Sequence, residues 1–449
     1  VYANSQTNGG TFPEIPITHI PTGSFIITNP ANAVASGSTG QTKPVNAGTR
    51  LSVSSTAGVA TAWLQMAFPS DVAANKTVYV KVGTGAIALL GGGISLQVYA
   101  TATGTGSTVN LENSTPVTYY TADGNAYMAI KPTGAFRSVR ILLTSPLALG
   151  TNNLDVFYVF YGPNQSNDTN PFPFNIADCG LPNVTATAFS GLTLGSVTIA
   201  NPGNAIDTDV ITGSAYNTAG VSVSGHIIQT FYFNGNSNSG DAVRVIFSKG
   251  SALVNIDVGK AVKIQGYNGS NAVGISRPLS SLLDVDLLGL LTSGSTAVTS
   301  YFAPKDISNS SVVFDRVTLD FDLGLLGVSL NGNGLNVFDV RRVPDAPTAS
   351  DVMACTNVGT INLAATTVQS NIANIGDFTY TWYNAVRQGT LLGALVGQIP
   401  FLATDLTTVA KKEYYVDITK SGCTVPSGRT RVTVNTINPP IVPPIALVP

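Results

Sequence analysis

Charge is scarce in this chain of 449 residues: only 10% are Asp, Glu, Lys or Arg, less than half of the roughly 25% usual in a soluble globular domain. What charge there is nearly cancels, to a formal −2. That leaves no basic footprint for nucleic acid or anionic lipid, and no acidic one for a basic partner. Histidine occurs twice, at His19 and His226, and glutamate only as Glu14, Glu112 and Glu413, scattered over different segments. Glycoside hydrolysis needs two carboxylates across one cleft, and no HExxH, GxSxG or phosphate-binding glycine loop occurs. A zinc cluster needs several Cys or His at close spacing, which Cys179, Cys355 and Cys423 do not supply. The expectation is that the chain is not an enzyme, with both histidines structural. No run reaches the roughly 18 apolar residues of a membrane-spanning helix, since Leu279 to Leu291 is broken by Asp284, Asp286 and Gly289. Val1-Tyr2-Ala3-Asn4 lacks the basic start and apolar core of a signal peptide, so Val1 is expected to follow a signal already removed from an exported, cell-surface chain.

In place of charge the chain carries Gly, Ser, Thr and Asn, and it repeats itself. Asn29-Pro30-Ala31-Asn32-Ala33-Val34 returns as Asn201-Pro202-Gly203-Asn204-Ala205-Ile206, and Val78-Tyr79-Val80-Lys81-Val82 as Val243-Arg244-Val245-Ile246-Phe247. Leu96-Gln97-Val98-Tyr99 is answered by Val262 to Tyr267. Phe136-Arg137-Ser138-Val139 is answered by Phe314-Asp315-Arg316-Val317, and Leu154 to Val159 by Leu335 to Val340. Order and spacing are kept, as in tandem domains. Period-two alternation places Val78, Val80 and Val82 on one face of a strand and Tyr79 and Lys81 on the other. Turn clusters such as Asn234 to Gly240 separate the runs. The expected fold is all-β: two tandem jelly-roll-like β-sandwiches followed by an immunoglobulin-like sandwich. The leucine run is read as a pair of buried strands in preference to a helix. Boundaries follow from Pro-rich polar stretches: an extended N-terminal segment 1–23, sandwiches at 24–163 and 179–344 joined by a linker 164–178, a third domain 345–437, and an apolar Pro-rich tail 438–449.

Cys355 and Cys423 fall inside the third domain, so a Cys355–Cys423 bridge near its edge is expected, with Cys179 a buried thiol or, alternatively, an intermolecular partner. Asp207 and Asp209 are the candidate calcium ligands, since hard cations take oxygen donors; a plain turn is the competing reading, and no other cofactor is indicated. Trp63, Tyr119-Tyr120 and Phe231-Tyr232-Phe233 are candidates for a sugar-stacking face, although alternation also places half of them in the core and half in cross-strand pairs.

Val1 to Thr7, the Asn-Pro-Xaa-Asn-Ala phrase, Phe314 to Val317 and Leu335 to Val340 resemble large exported surface and gliding-associated proteins of the Bacteroidetes, often carried by the type IX route. In the third domain, Tyr380 to Ala385, Gly389 to Gly393, Tyr414-Tyr415-Val416 and Gly422-Cys423 resemble the immunoglobulin-like modules of such proteins. The stretch from Asn201 to Asp207 is similar to the NAxDG opening of discoidin-like sugar-binding jelly rolls, but Thr208 stands where that pattern has Gly. The resemblance implies a surface role. The leading expectation is a structural subunit of an extracellular filament or surface layer. It would polymerise head to tail by inserting Ile441, Val442, Ile445, Leu447 and Val448, or the segment through Ile20, into a neighbouring copy. The alternative is a glycan-binding adhesin with its ligand face near Asp207 and the Asn234 to Gly240 turn.

Overall fold

A computed structural model of the chain describes residues 1–14, 21–45, 47–56, 58–83, 93–113, 115–145, 151–162, 179–190, 196–219, 225–251, 258–282, 297–326, 332–369 and 375–440. The chain is all-β. The first sandwich begins with β1 (Ser5–Thr11), β2 (Gly23–Thr28), β3 (Thr49–Ser55), β4 (Ala60–Val72) and β5 (Val78–Val82). It continues with β6 (Ile94–Tyr99), β7 (Val117–Tyr120), β8 (Ala126–Ile130), β9 (Phe136–Ser145) and β10 (Thr151–Tyr161). One of its layers is the four-stranded sheet β1-β4-β9-β6. Alternation aims Ala62, Leu64, Met66, Val139, Ile141 and Leu143 inward, each 0% exposed, against Val78, Val80 and Val82 of the facing layer.

The second sandwich opens with β11 (Pro182–Ser190), β12 (Ser196–Ala200), β13 (Ser214–Ala219), β14 (His226–Phe233) and β15 (Asp241–Lys249). It closes with β16 (Val262–Asn268), β17 (Asn271–Pro278), β18 (Val298–Phe302), β19 (Arg316–Asp322) and β20 (Gly332–Pro344). The repeat seen in the sequence is a repeat in register. Val78, Val80 and Val82 of β5 lie beside β10 as Val243, Val245 and Phe247 of β15 lie beside β20. Both pairings slip by one residue at the same place, bulging out Phe157 in the first copy and Phe338 in the second. Asn29 and Asn201 both take the left-handed backbone, φ 52° and 48°, each leading a short 3-10 turn that starts at the following proline. Asn tolerates that conformation better than most residues. Phe136 and Phe314 are buried against Phe68 and Phe233 with matching edge-on geometry, 6.0 Å at 75° and 5.9 Å at 74°.

The two sandwiches are fused rather than merely adjacent. β7, at the edge of one layer of the first, pairs antiparallel with β11 through Tyr120 with Thr185 and Tyr119 with Ala186. One eleven-stranded sheet results, in the order β17-β16-β19-β14-β11-β7-β8-β5-β10-β3-β2. A further five-stranded sheet, β12-β13-β20-β15-β18, completes the second sandwich.

The N-terminal segment, expected to be an extended arm outside the first sandwich, is part of it. β1 pairs with β4 over its whole length, and Ala3 donates its amide to Val159 O at 3.1 Å. Tyr2 packs on Tyr158 and Phe160, which covers the face that alternation assigned to Tyr79. Residues 15–20 lie outside the described residues, as do the linker 164–178, His19, and Ile441, Val442, Ile445, Leu447 and Val448. The leucine run departs from its expected strands at Leu279–Leu282, a 3-10 turn with Leu279 buried; 283–296 are not among the described residues.

The third domain contains β21 (Thr348–Ala349), β22 (Val352–Cys355), β23 (Gly359–Leu363), β24 (Ala365–Thr366) and β25 (Phe378–Tyr383). After these come β26 (Leu391–Val396), β27 (Phe401–Leu406), β28 (Lys411–Lys420) and β29 (Thr430–Ile437). The sheet β22-β29-β28-β25-β26 faces the pair β23-β27, with Trp382 stacked on Phe401 at 5.3 Å in the core.

The expected Cys355–Cys423 bridge is not formed. Cys423 is bonded to Cys179, with Cα atoms 5.4 Å apart, and Cys355 is free. Register explains the difference. Cys355 lies beside Ile437, at the end of the sheet where β28 begins, whereas Cys423 sits in the turn just after Lys420, where β28 ends. The ten residues of β28 span about 30 Å at roughly 3.3 Å each, far beyond a disulfide's reach. The bridge therefore staples the third domain to the start of the second sandwich. Beside it Gln369 donates its side-chain amide to Asp241, and Asp345 donates its backbone amide to Gly240 O at 2.9 Å.

Candidate functional site

Side chains that point outward from β1-β4-β9-β6 form a polar and aromatic cluster at the surface. Register lines up Gly9, Trp63, Leu142 and Ser95 in one row, and Thr7, Gln65, Arg140 and Gln97 in the next. Tyr99 and Ser138 follow in the third row. The Arg140 guanidinium carbon lies 4.2 Å from the centre of the Trp63 ring and 4.8 Å from that of Tyr99. Such cation–π contacts contribute about 0.5–2 kcal/mol, more as water is excluded.

Hydrogen bonds fix the guanidinium in place. Arg140 Nε and Nη2 donate to Gln65 Oε1 at 3.0 and 2.6 Å, and Nη1 donates to the Tyr99 hydroxyl at 3.2 Å. The Tyr99 hydroxyl in turn donates to Gln97 Oε1 at 2.9 Å. Gln65 Nε2 donates to Ser138 Oγ at 2.7 Å, and that hydroxyl to Thr101 O at 2.6 Å. Gln65 is fully buried although it points away from the core. Trp63, Gln97 and Arg140 stay half-exposed. Every partner of Arg140 is neutral, and among the described residues no carboxylate pairs with it.

Two glycines allow the cluster. A Cβ on Gly9 would stand 2.7 Å from the Trp63 ring, so only glycine lets the indole lie across β1. Gly104 has φ +67°, and a Cβ there would fall 1.8 Å from the Gln65 amide. The 101–105 loop can therefore close over Gln65 only with glycine at that position.

At the corresponding positions the second sandwich has Ile228 for Trp63, Thr230 for Gln65 and Thr318 for Arg140, by the matching registers of β14, β19 and β16. Gln265 matches Gln97, but its amide is turned onto the carbonyls of Gly266 and Val273, both at 2.8 Å. The aromatic contacts of this layer gather instead at the seam between the sandwiches, where Arg316 lies over Tyr232, and Tyr232 packs on Tyr119 at 5.3 Å. Of the aromatic residues singled out in the sequence, Tyr120, Phe231 and Phe233 are buried core, Tyr119 and Tyr232 are partners across the seam, and Trp63 belongs to the surface cluster.

The candidate calcium ligands bind their own turn. Asp207 accepts from the Asp209 amide and the Thr212 hydroxyl, both at 2.9 Å, and Asp209 accepts from the Ile211 amide at 2.9 Å. Among the described residues no group of three or more His, Cys, Asp or Glu is placed to hold a metal. Asp207 and the Asn234 to Gly240 turn do not share a surface. The 3-10 turn before Asp207 abuts the first sandwich, where a Cβ on Gly203 would meet Thr121 O at 2.2 Å. The Asn234 to Gly240 turn instead faces the third domain, across a shallow open cleft lined by Asn238, Asp241, Arg342, Lys420 and the disulfide. Burial pushes the Asp241 carboxyl up, opposed by its bonds to Asn238 and Gln369. His226 pairs with Asp320 through Nδ1 at 2.8 Å, a structural contact at the start of β14.

No protein-family model and no curated protein matches the sequence. Among solved structures, the chain is similar to a β-1,2-glucanase from Parabacteroides distasonis at 10% identity and a TM-score of 0.23, over 57% of this chain and 37% of the glucanase. The chain thus spans little more than a third of that enzyme. A fucolectin from striped bass (Morone saxatilis) serum matches at 10% identity and TM-score 0.19, over 77% of this chain and 100% of the lectin. Two CBM32 domains of Clostridium perfringens ZmpB, in complex with GalNAc, match at 11% identity and TM-score 0.21, over 76% and 91%. TM-scores this low assign neither a fold nor a ligand to this chain. No helix among the described residues is long and apolar enough to cross a membrane.

Proposed function

We propose that this chain is a glycan-binding module of an exported surface protein, and that it binds through the Trp63–Arg140 cluster, preferring sugars that carry a carboxylate. The observation that carries the reading is the Arg140 guanidinium. It is held between two aromatic rings by neutral partners, and among the described residues no carboxylate pairs with it. Gln65, Tyr99 and Gly104 O take four of its five N–H groups, which leaves one Nη1 N–H and a fixed positive charge to offer an acidic group a single charge-assisted hydrogen bond. The half-exposed indole offers apolar surface to the C–H face of a sugar ring, and the Gln97 amide lies beside it for hydroxyls. The scarcity of histidine and glutamate favours binding over catalysis. The Cys179–Cys423 bridge suits an oxidising location outside the cell, and the low charge suits a surface among neighbours.

The test is binding of the full chain to an array of neutral and acidic glycans, with Trp63→Ala and Arg140→Met beside it. Trp63→Ala is expected to lose binding altogether. Arg140→Met is expected to lose selectively the carboxylate-bearing ligands. The filament reading names apolar residues from Ile441 to Val448, which lie outside the described residues, or the segment through Ile20, of which Ser5–Thr11 is already paired with β4 of its own sandwich.

A further inference from the structure

We propose that two copies of this chain pair antiparallel through their β1 edges about a two-fold axis, joining their β1-β4-β9-β6 layers into one continuous sheet. Four observations lead there. Among the described residues nothing pairs with the outer edge of β1. The strand is regular, matching β4 residue for residue from Ser5 to Thr11 without a bulge. Its sequence, Ser-Gln-Thr-Asn-Gly-Gly-Thr, has no charge and no proline, so it lacks the features by which edge strands repel other edges. Two such edges meet their own image with no like-charge conflict, which suits a self-complementary two-fold interface.

The fourth observation is a docked counterpart within the molecule. β11 holds the place in the second sandwich that β1 holds in the first: β11-β14-β19-β16 repeats β1-β4-β9-β6. That edge of β11 is occupied, since Thr185 and Ala186 pair with Tyr120 and Tyr119 of β7. Thr185 stands opposite Phe231 of β14, as Gln6 stands opposite Met66 of β4. Gln6 and Thr7 are therefore the equivalents of the two docked residues. The fold already adds a strand at this position once; because that strand is β7, from the opposite layer, the contact shows that the edge accepts a strand, and the two-fold rests on the neutral sequence of β1 itself.

Antiparallel pairing about an axis normal to the sheet keeps equivalent faces on the same side. The two Trp63–Arg140 clusters would then share one surface, with the Trp63 strands three strand spacings apart, about 14 Å, and the Arg140 strands five, about 24 Å, plus any offset along the strands. This consequence rests on the glycan reading of that cluster; the pairing does not. The ligand class it selects is a polysaccharide bearing acidic sugars at intervals, held at two points by one dimer.

Sedimentation equilibrium of the full chain, without ligand, tests the pairing. A reversible dimer is expected, weakened at least tenfold in Gln6→Lys/Asn8→Lys. Mixing that variant with Gln6→Glu/Asn8→Asp should restore a mixed dimer, which a merely unfolded β1 would not do. A wild-type monomer throughout, a dimer insensitive to the lysines, or failure of the mixed pair overturns the pairing. Polygalacturonate and free galacturonate are then titrated into dimeric and lysine-substituted protein. The polymer alone should bind at least tenfold more tightly to the dimer. Equal gains for both ligands overturn the two-point mode while leaving the pairing intact. If neither ligand binds either form, the glycan reading of the cluster is rejected, and the pairing stands or falls by sedimentation alone.

Discussion

The two sandwiches share the geometry of their inward faces, though not every residue, since Leu64 is answered by the buried Gln229, and they differ more outside. Their bulges at Phe157 and Phe338, their left-handed Asn29 and Asn201 and their edge-on Phe pairs coincide. Outward positions on the same strands have changed: Trp63, Gln65 and Arg140 in one copy are Ile228, Thr230 and Thr318 in the other. Packing density constrains the inner faces, where even a methylene is felt, and leaves the outer faces free to take on roles. One copy built a polar and aromatic cluster on its β1-β4-β9-β6 layer. The other used the same layer to join its neighbour.

The largest expected effect breaks what is common. Phe136→Ala and Phe314→Ala each remove a buried ring from an equivalent pair, and each should cost about 3–5 kcal/mol. Denaturant unfolding followed by proteolysis should show the loss in the first sandwich for Phe136 and in the second for Phe314. Similar losses would support the equivalence, whereas a loss in only one copy would break it. Next comes the staple that only the second copy has. Cys179→Ser and Cys423→Ser should each lower the stability of the joint with the third domain by about 2–4 kcal/mol, read as separate melting of the two bodies. Cys355→Ser should change stability by no more than about 0.5 kcal/mol.

A smaller effect is titratable. Burial pushes the Asp417 carboxyl up to about 6, against the opposing pull of Arg429 at 3.2 Å. A carboxyl with a raised folded value binds its proton more readily in the fold than in the unfolded chain. Stability of the third domain should therefore rise as pH falls from about 7 to 4, by at most about 3 kcal/mol. Thermal melting across that range should show the rise, and Asp417→Asn should flatten it. The first sandwich, with no buried carboxylate among its described residues, should not share the trend.

Much of the framework was legible before any coordinates. The alternation of Val78, Val80 and Val82 and its echo at Val243, Val245 and Phe247 named the inward faces of two equivalent strands. The Asn-Pro phrase located the same 3-10 turn twice. The disulfide was not legible, because sharing a stretch of chain says nothing about which end of a ten-residue strand a cysteine occupies. The sheet fusion was hidden too, since β7 and β11 belong to different domains and meet through only two residue pairs. Trp63 stood out as an aromatic residue, but Tyr99 and Arg140 reach it from β6 and β9, and only register brings them together. The signal that was present is the difference between copies: on equivalent strands, Trp63 and Arg140 are answered by Ile228 and Thr318, neither aromatic nor charged.

The most direct test of the account is a glycan array probed with the wild-type chain, Trp63→Ala and Ile228→Ala, which alter the same position in the two copies. The account predicts binding to carboxylate-bearing glycans that is lost in Trp63→Ala and retained in Ile228→Ala. Binding that survives Trp63→Ala, or no binding by the wild-type chain to any acidic glycan, would contradict it.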